Sequence, residues 1–325
     1  MTFTTQPVAI LGDLIIDRYI HGKSDRLSPE APVPIVHIDS HSERYNLGGA
    51  GNVAANIRAL GGNPILMSIT GASRLSGIVI ERLLDDADID GSYIGYDAGR
   101  TVTTKVRIIA NNQQIVRLDE EKIEPIDSYF ENRIIDRFRA MAPDLEAVIL
   151  SDYGKGVLAG SLIAHVTGIA AEYNIPVFLD PKVANAVHYR VETITAMTPN
   201  LTEAIGLNNG NNGNIEDIGY GILSKYWHQY VLITRGEQGM SLFTANRPAI
   251  GVHPAQDRNA VHIPTTARNV FDVSGAGDTV IATLALAFAS GYSMLESVQL
   301  ANKAAGIVVG KAGTVPVSKE ELETE

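Results

Sequence analysis

The sequence predicts an α/β fold: a doubly wound, mostly parallel sheet flanked by helices, with a small inserted β-sheet lid. Three observations predict it. Short apolar, β-branched runs alternate with longer helical patterns along most of the 325 residues. Several of these runs are apolar throughout, as strands covered on both faces of a parallel sheet must be. A second population of strands shows period-2 alternation with polar partners, which suits a solvated antiparallel sheet.

The apolar runs, in order, are Pro7–Leu11, Ile65–Ile69, Ala147–Ser151, Pro176–Asp180, Thr193–Met197 and Tyr230–Thr234. Helical patterns fall between them over Asn52–Leu60, Ser76–Ala87, Asp127–Met141, Ala159–Tyr173 and Ile215–Trp227. Two long helices follow, from about Asp278 and from about Met294. The alternating set comprises Pro34–Ile38 and the pair Thr101–Ala110 and Gln113–Asp119, joined at Asn111-Asn112 as a hairpin. We read these as lid strands inserted, at residues 14–40 and 100–120, into a single domain of residues 1–325. LNNGNNGN, Leu207–Asn214, reads as a surface loop with no chemistry of its own.

Composition excludes several classes of function. Lys plus Arg number 26 against 37 Asp plus Glu, and the net charge of −11 argues against nucleic acid or an anionic membrane as the main partner. A 45% hydrophobic and 19% charged composition is that of a globular protein with a large core, not of a disordered chain. The absence of cysteine removes disulfides, thiolate metal sites and thiol nucleophiles. The N-terminus has no basic segment, and Asp13 and Asp17 break its apolar run, so it makes a poor signal peptide. The longest uncharged stretch, Thr279–Leu295, is shorter than the roughly 20 apolar residues that span a bilayer. A soluble, cytoplasmic protein is expected. P-loop, G-x-G-x-x-G and G-x-S-x-G motifs are all missing. His37 and His41 flank the expected end of a strand, where their spacing does not converge on a metal; we read both as surface residues.

Three glycine-rich or polar turns remain. DVSGAGDT, Asp272–Thr279, stands directly before an apolar helix. Gly275, Ala276 and Gly277 let successive backbone N–H groups converge, and the helix dipole adds to them, forming an anion hole suited to phosphoryl charge. Asp278 at its mouth either takes the proton of an attacking hydroxyl or simply caps the helix. The same dipole is expected to lower the Asp278 pKa and weaken it as a base. LGGAGNVAANI, Leu47–Ile57, offers Gly48, Gly49, Gly51 and Asn52 either to a hydroxyl-rich ligand or as a tight turn with an Asn cap. TPNLTE, Thr198–Glu203, sets Asn200 and Glu203 on one helical face; they either help hold Mg²⁺ through water or cap the helix.

Together these elements resemble the ribokinase (PfkB) family of carbohydrate kinases over nearly the whole chain, through GGAGN early and DVSGAGD late. SDRLSPEAPVPIV, NNQQIVRLDEE, LSDYGKG, TPNLTE and TRGEQGMSL narrow the resemblance to the D-glycero-β-D-manno-heptose-7-phosphate kinases. Some of these are fused to an adenylyltransferase; with no H-x-G-H motif before Glu325, the chain looks like the stand-alone form. The resemblance implies a ribokinase-like fold, a lid that closes on substrate, and transfer of a phosphoryl group from ATP, with Mg²⁺, to the anomeric hydroxyl of the heptose 7-phosphate. By position it implies Asp278 as base with Gly275, Ala276 and Gly277 as anion hole. Asn200, Leu201, Thr202, Glu203, Thr234, Gly236 and Asn302 would border ATP, with Asn200 and Glu203 toward the Mg²⁺. Asp13, Asp17, Gly48, Gly49 and Asn52 would meet the sugar. Ile15 departs from ribokinase, which carries Asn at the matching place, and this implies a sugar other than ribose. A substrate that already carries a dianion needs cations far from Asp278, and Lys105, Arg107, Arg117 and Lys155 are the candidates. The alternatives are a kinase for another sugar or sugar phosphate, or a sugar or nucleotide sensor without turnover. Exposed lid edges further suggest a homodimer through the lid.

Overall fold

The continuously apolar runs lie at the centre of a nine-stranded sheet, where both of their faces are covered. The structure, a computed structural model, describes residues 2–245 and 259–324. In chain order the strands are β1 (Pro7–Gly12), β2 (Leu14–Leu27), β3 (Pro34–Gly49), β4 (Asn63–Gly71), β5 (Ile94–Asp97), β6 (Thr104–Ala110), β7 (Gln113–Glu120), β8 (Ala147–Ser151), β9 (Val177–Asp180), β10 (Ala196–Met197), β11 (Tyr230–Thr234), β12 (Met240–Thr244) and β13 (Asn259–Ile263). The helices are α1 (Ala50–Ala59), α2 (Arg74–Asp86), α3 (Ser128–Met141), α4 (Gly160–Glu172), α5 (Leu201–Leu207), α6 (Ile215–Tyr226), α7 (Ala276–Ala289), α8 (Met294–Val308) and α9 (Lys319–Thr324).

The body sheet runs β13-β12-β11-β10-β9-β8-β1-β4-β5 and is parallel except for the antiparallel pairs β11–β12 and β12–β13. Alternate residues of β1 feed two separate cores. Val8 and Ile10 join the cluster under α1, α2, α7 and α8, while Ala9 and Leu11 join the cluster under α3, α4 and α6. Helix α7 is buried from Asp278 to Ala287, which explains a sequence apolar on every side. The chain leaves β1 toward β4 on one side and returns at β8 on the other. The strand order therefore reverses between β1 and β8, and in such sheets ligands bind beyond the carboxyl ends of the strands at that crevice.

The lid is a second sheet, ordered β3-β2-β6-β7. It differs from expectation in three ways. The stretch from Leu14 to Leu27 is one long strand, and β3 continues from Pro34 to Gly49 instead of stopping at Ile38. The central pair β2–β6 is parallel, because both strands leave the body from the same side and the body itself supplies the crossover. The expected hairpin is present: Asn111 and Asn112 both take positive φ (53° and 63°), as a two-residue turn between twisted strands requires. His37 thus lies inside a strand and is exposed; the His41 side chain falls outside the described residues. In the body, the Thr193–Met197 run shortens to Ala196–Met197, and Trp227 ends α6 in the left-handed region (φ 63°) instead of extending it.

Candidate active site

Gly275, with φ 77°, turns the chain into α7 so that Ala276, Gly277 and Asp278 form its first turn. Asp278 is therefore not the cap. Its side chain turns inward, is 2% exposed, and accepts two hydrogen bonds from other parts of the fold. The Tyr153 hydroxyl donates to Oδ1 at 2.6 Å and the Asn52 amide to Oδ2 at 2.7 Å. Burial pushes the carboxyl up to about 6, against the pull of those two donors. The expected lowering by the helix dipole is thus overturned, because desolvation outweighs it. A carboxylate that is ionised at neutral pH yet holds a proton readily is well matched to taking one from a hydroxyl.

Asn52 sits in α1 three residues beyond Gly49, whose φ of 56° starts the helix without a side-chain cap. Its Nδ2 is spent on Asp278, while Asn56 donates to its backbone oxygen (2.9 Å) and its Oδ1 (3.3 Å). Thr279 in turn donates to Asn56 Oδ1 at 3.0 Å. Asn52 thus supports Asp278 from within α1, which corrects its reading as a cap.

Asp13 is likewise a buried support. It stands alone between β1 and β2, and its carboxylate accepts the backbone N–H groups of Tyr153, Lys155 and Val157, each at 3.0 Å. It is 1% exposed and anchors the Asp152–Val157 loop. Burial raises its pKa, and these three donors oppose that. Replacement by Ala leaves three buried N–H groups without an acceptor. Asp13→Ala is expected to cost about 3 kcal/mol or more, read as a lower urea midpoint, with Asp13→Asn losing less.

The lid supplies the opposite wall. Register pairs Asp17 with Lys105 and Tyr19 with Arg107 across β2–β6, and Lys105 with Asp119 and Arg107 with Arg117 across β6–β7. One face of the lid thus carries an Asp17–Lys105–Asp119 row beside a Tyr19–Arg107–Arg117 row. Asp17 is buried and receives a hydrogen bond from Arg107. Gly48 lacks a side chain because a Cβ there would lie 2.5 Å from Asp17 Oδ2, and Gly49 likewise abuts the Asp13 carbonyl. Lys155 pairs with Glu121 at 2.7 Å and Arg117 with Asp119 at 2.8 Å. Lys105 instead stands over the Tyr153 ring, 5.1 Å from its centroid, and burial lowers its pKa.

Beside the first turn of α7 lies a cleft of about 580 Å³, lined by Thr234, Gly236, Val273, Gly277, Val280 and Asn302 among others. Asn302 shapes its wall by donating to the Pro264 carbonyl at 2.8 Å. Asn200 and Glu203 form a reciprocal capping box at the start of α5, so the capping reading holds for them. Leu201 and Thr202 fill the first turn between them, and Asn200 bridges to Thr234 in β11. Among the described residues no group of three or more His, Asp or Glu side chains is arranged to hold a metal. Glu203 nevertheless suits Mg²⁺, which keeps most of its waters and needs only one or two carboxylates beside phosphates.

Sequence reasoning missed Tyr153, Arg100 and Asp180. Arg100 ties the same loop down by donating to the Lys155 carbonyl at 2.6 Å. Asp180, at the end of β9, is held well above the carboxylate range by burial and then by the charges of Asp278, Glu203 and Asp152. All three act on partners remote in the chain, and only the DYGKG run hinted at any of them. Among the described residues no helix is long and apolar enough to cross a membrane.

The sequence and the fold have counterparts among known proteins. The chain is 41% identical over 318 residues to the bifunctional protein HldE of Rhodospirillum rubrum and 42% identical over 318 residues to that of Mesorhizobium japonicum. These alignments cover 97% of the chain but only 61% of each relative. Phosphofructokinase-2 from Escherichia coli shares the fold, with a TM-score of 0.77 at 16% identity over 98% of this chain and 97% of that one. So does the ribokinase of Arabidopsis thaliana complexed with ribose and ATP, with a TM-score of 0.71 at 18% identity over 98% of each chain. The pattern of the pfkB family carbohydrate kinases matches residues 6–321. The chain is a phosphotransferase with an alcohol group as acceptor, and it belongs to the pfkB family of carbohydrate kinases.

Proposed function

We propose that the protein transfers the γ-phosphoryl group of ATP to the anomeric hydroxyl of D-glycero-β-D-manno-heptose 7-phosphate, giving the 1,7-bisphosphate and ADP. The product would feed ADP-heptose for the lipopolysaccharide inner core. The observation that carries the reaction class is a buried, readily protonated Asp278 in the first turn of α7, beside an apolar cleft that Gly277 lines. In this reading the acceptor oxygen attacks the γ-phosphorus, the bond to the β-phosphate oxygen breaks, and the hydroxyl proton passes to Asp278. The N–H groups of Gly275 and Gly277 meet the charge that develops on the transferred group, whereas that of Ala276 donates to the Val273 carbonyl at 3.3 Å. The adenine end of ATP lies in the cleft bordered by Thr234, Gly236 and Asn302. Glu203 and Asn200 would hold Mg²⁺ through water, and the ion would supply charge neutralisation at the phosphates.

The lid cations support a phosphorylated sugar. Lys105, Lys155, Arg107 and Arg117 gather at one place beside Asp17, Asp119 and Glu121, so a dianion there would meet four cations by competing with those three acids. Lys155→Ala and Arg117→Ala are each expected to raise the KM for the sugar phosphate about tenfold or more, with the KM for ATP little changed. If both variants keep the parent's sugar KM, these cations do not grip the phosphate. A homodimer through the lids is supported by β7, an edge strand exposed along its whole length and carrying Leu118 at 53% exposure. Both substrates are metabolites of the cytoplasm, where we place the enzyme. The test is ADP release from MgATP with the heptose 7-phosphate, fructose 6-phosphate, ribose, fructose and adenosine. Turnover with another acceptor keeps the mechanism and replaces the substrate. Nucleotide binding without turnover on any acceptor favours a sensor.

A further inference from the structure

We propose that Tyr153 is a positioning residue for phosphoryl transfer: by donating its hydroxyl proton to Oδ1 of Asp278, it holds that carboxylate ionised and oriented toward the acceptor hydroxyl. The proposal rests on the kinase reading above and adds to it a residue outside the motifs that led there.

Three features carry it. The hydrogen bond is short, at 2.6 Å, and its donor is fixed, because burial and the neighbouring Asp278 charge push the Tyr153 phenol well above its ordinary range. Tyr153 and Asn52 approach the carboxylate from different elements and take one oxygen each. An ionised carboxylate has about four acceptor positions, so each oxygen keeps one for substrate. Finally, Tyr153 is itself held: its backbone N–H donates to Asp13 at 3.0 Å, and Lys105 of the lid stands over its ring. Packing alone would be served equally by Phe, since the ring lies under Lys105 with or without the hydroxyl.

The electrostatics have a definite sign. Burial is the strongest influence on Asp278 and raises its pKa. Among the charged and titratable groups facing it, Asp17 from β2 raises it further and Lys105 from β6 lowers it. Asp180 from β9 is a further acidic neighbour. The Tyr153 hydrogen bond is the largest of the lowering influences, ahead of Asn52. A donor to the charged form favours that form, so removing the hydroxyl makes Asp278 bind its proton at higher pH. A base must be ionised to work, so the acid limb of the activity profile must move up with it.

The test is Tyr153→Phe, compared with the parent in two ways. Turnover of MgATP and the sugar phosphate is measured across pH 5–9, and the Asp278 carboxyl is titrated by ¹³C NMR without substrate, its signal assigned by its loss in Asp278→Asn. The acid limb and the NMR midpoint are expected to rise together by about one pH unit, so that activity falls about tenfold at pH 5.5 and far less at pH 8, with both KM values little changed. A midpoint and limb that stay in place, or a loss equal at every pH, overturn the proposal. A parent that turns over no sugar overturns the kinase reading instead, while the NMR midpoint still judges the hydrogen bond. Should Tyr153→Phe fail to fold, parent protein labelled with [ζ-¹³C]tyrosine gives the answer. One tyrosine signal must then step at the Asp278 midpoint and lose that step in Asp278→Asn; its absence overturns the proposal.

Discussion

Asp278→Asn is expected to lower turnover about 10³-fold while leaving the protein folded and more stable than its parent at neutral pH. The loss follows from removing the proton acceptor. The gain follows from burial. A carboxyl whose pKa rises from an ordinary 3.8 to about 6 on folding weakens the folded state by about 3 kcal/mol once the pH exceeds both values. Below 3.8 the penalty is absent; it grows through the window from 3.8 to 6 and is complete above it. The amide fits the same partners, since its oxygen can accept from Asn52 and its NH₂ can donate to the Tyr153 oxygen. Thermal melts of parent and variant at pH 5 and pH 8 check the sign: the variant's advantage must be larger at pH 8. An equal shift at both pH values would mean that Asp278 carries no such penalty.

The second large effect separates two neighbouring glycines. Around Gly277 a Cβ meets nothing within 4 Å, and the residue opens on the cleft. Gly277→Ala is therefore expected to keep or slightly raise the melting temperature, since alanine favours the helix by about 1 kcal/mol. Its methyl group nevertheless enters the space where the proposed reaction puts the transferring phosphoryl group, and turnover should fall about 10²-fold. Gly275→Ala fails differently. Its φ of 77° costs an alanine about 1–2 kcal/mol, and the new Cβ would lie 2.6 Å from Asn52 Nδ2 and 3.1 Å from Thr314 Cγ2. Asn52 is then driven off Asp278, so stability and turnover fall together. Melting temperatures beside kcat for the two variants distinguish the cases. A Gly277→Ala enzyme with parental kcat would mean that these N–H groups do not serve the transferring phosphoryl group.

The motif-bearing turns could be read from the sequence because their function is local. Gly275 to Asp278 sit within one turn of helix, and an apolar run after small residues announces that turn. The body strands β1, β4, β8 and β11 were equally legible, since each buries both faces and so is largely apolar. What escaped was set by pairing at a distance. The Asp13 carboxylate serves amides of the Asp152–Val157 loop, and nothing near either segment announces the other. The β2 strand, read only loosely as part of a lid, mixes apolar and charged residues because its inner half borders the site and its outer half meets solvent. The pKa of Asp278 was misjudged for a related reason: the dipole can be inferred from the helix alone, whereas burial depends on the lid and on Tyr153.

The two cores under the sheet close at different moments of synthesis. The cluster beneath α3, α4 and α6 is complete once the ribosome has added Phe243, its final member in chain order. The cluster on the opposite face waits for Val280 to Ala287 of α7, the apolar side of α8, and Leu322. A nascent chain that has emerged only through β12 therefore shows one finished flank and one bare one, the latter formed by Val8, Ile10, Val53 and Ile149. Truncation between β12 and α7 should for that reason give an aggregating product and a client for chaperones, even though most of the sheet is in hand. Because Asp278 arrives on the helix that seals this flank, the chain gains that buried carboxyl and covers the bare flank in the same step.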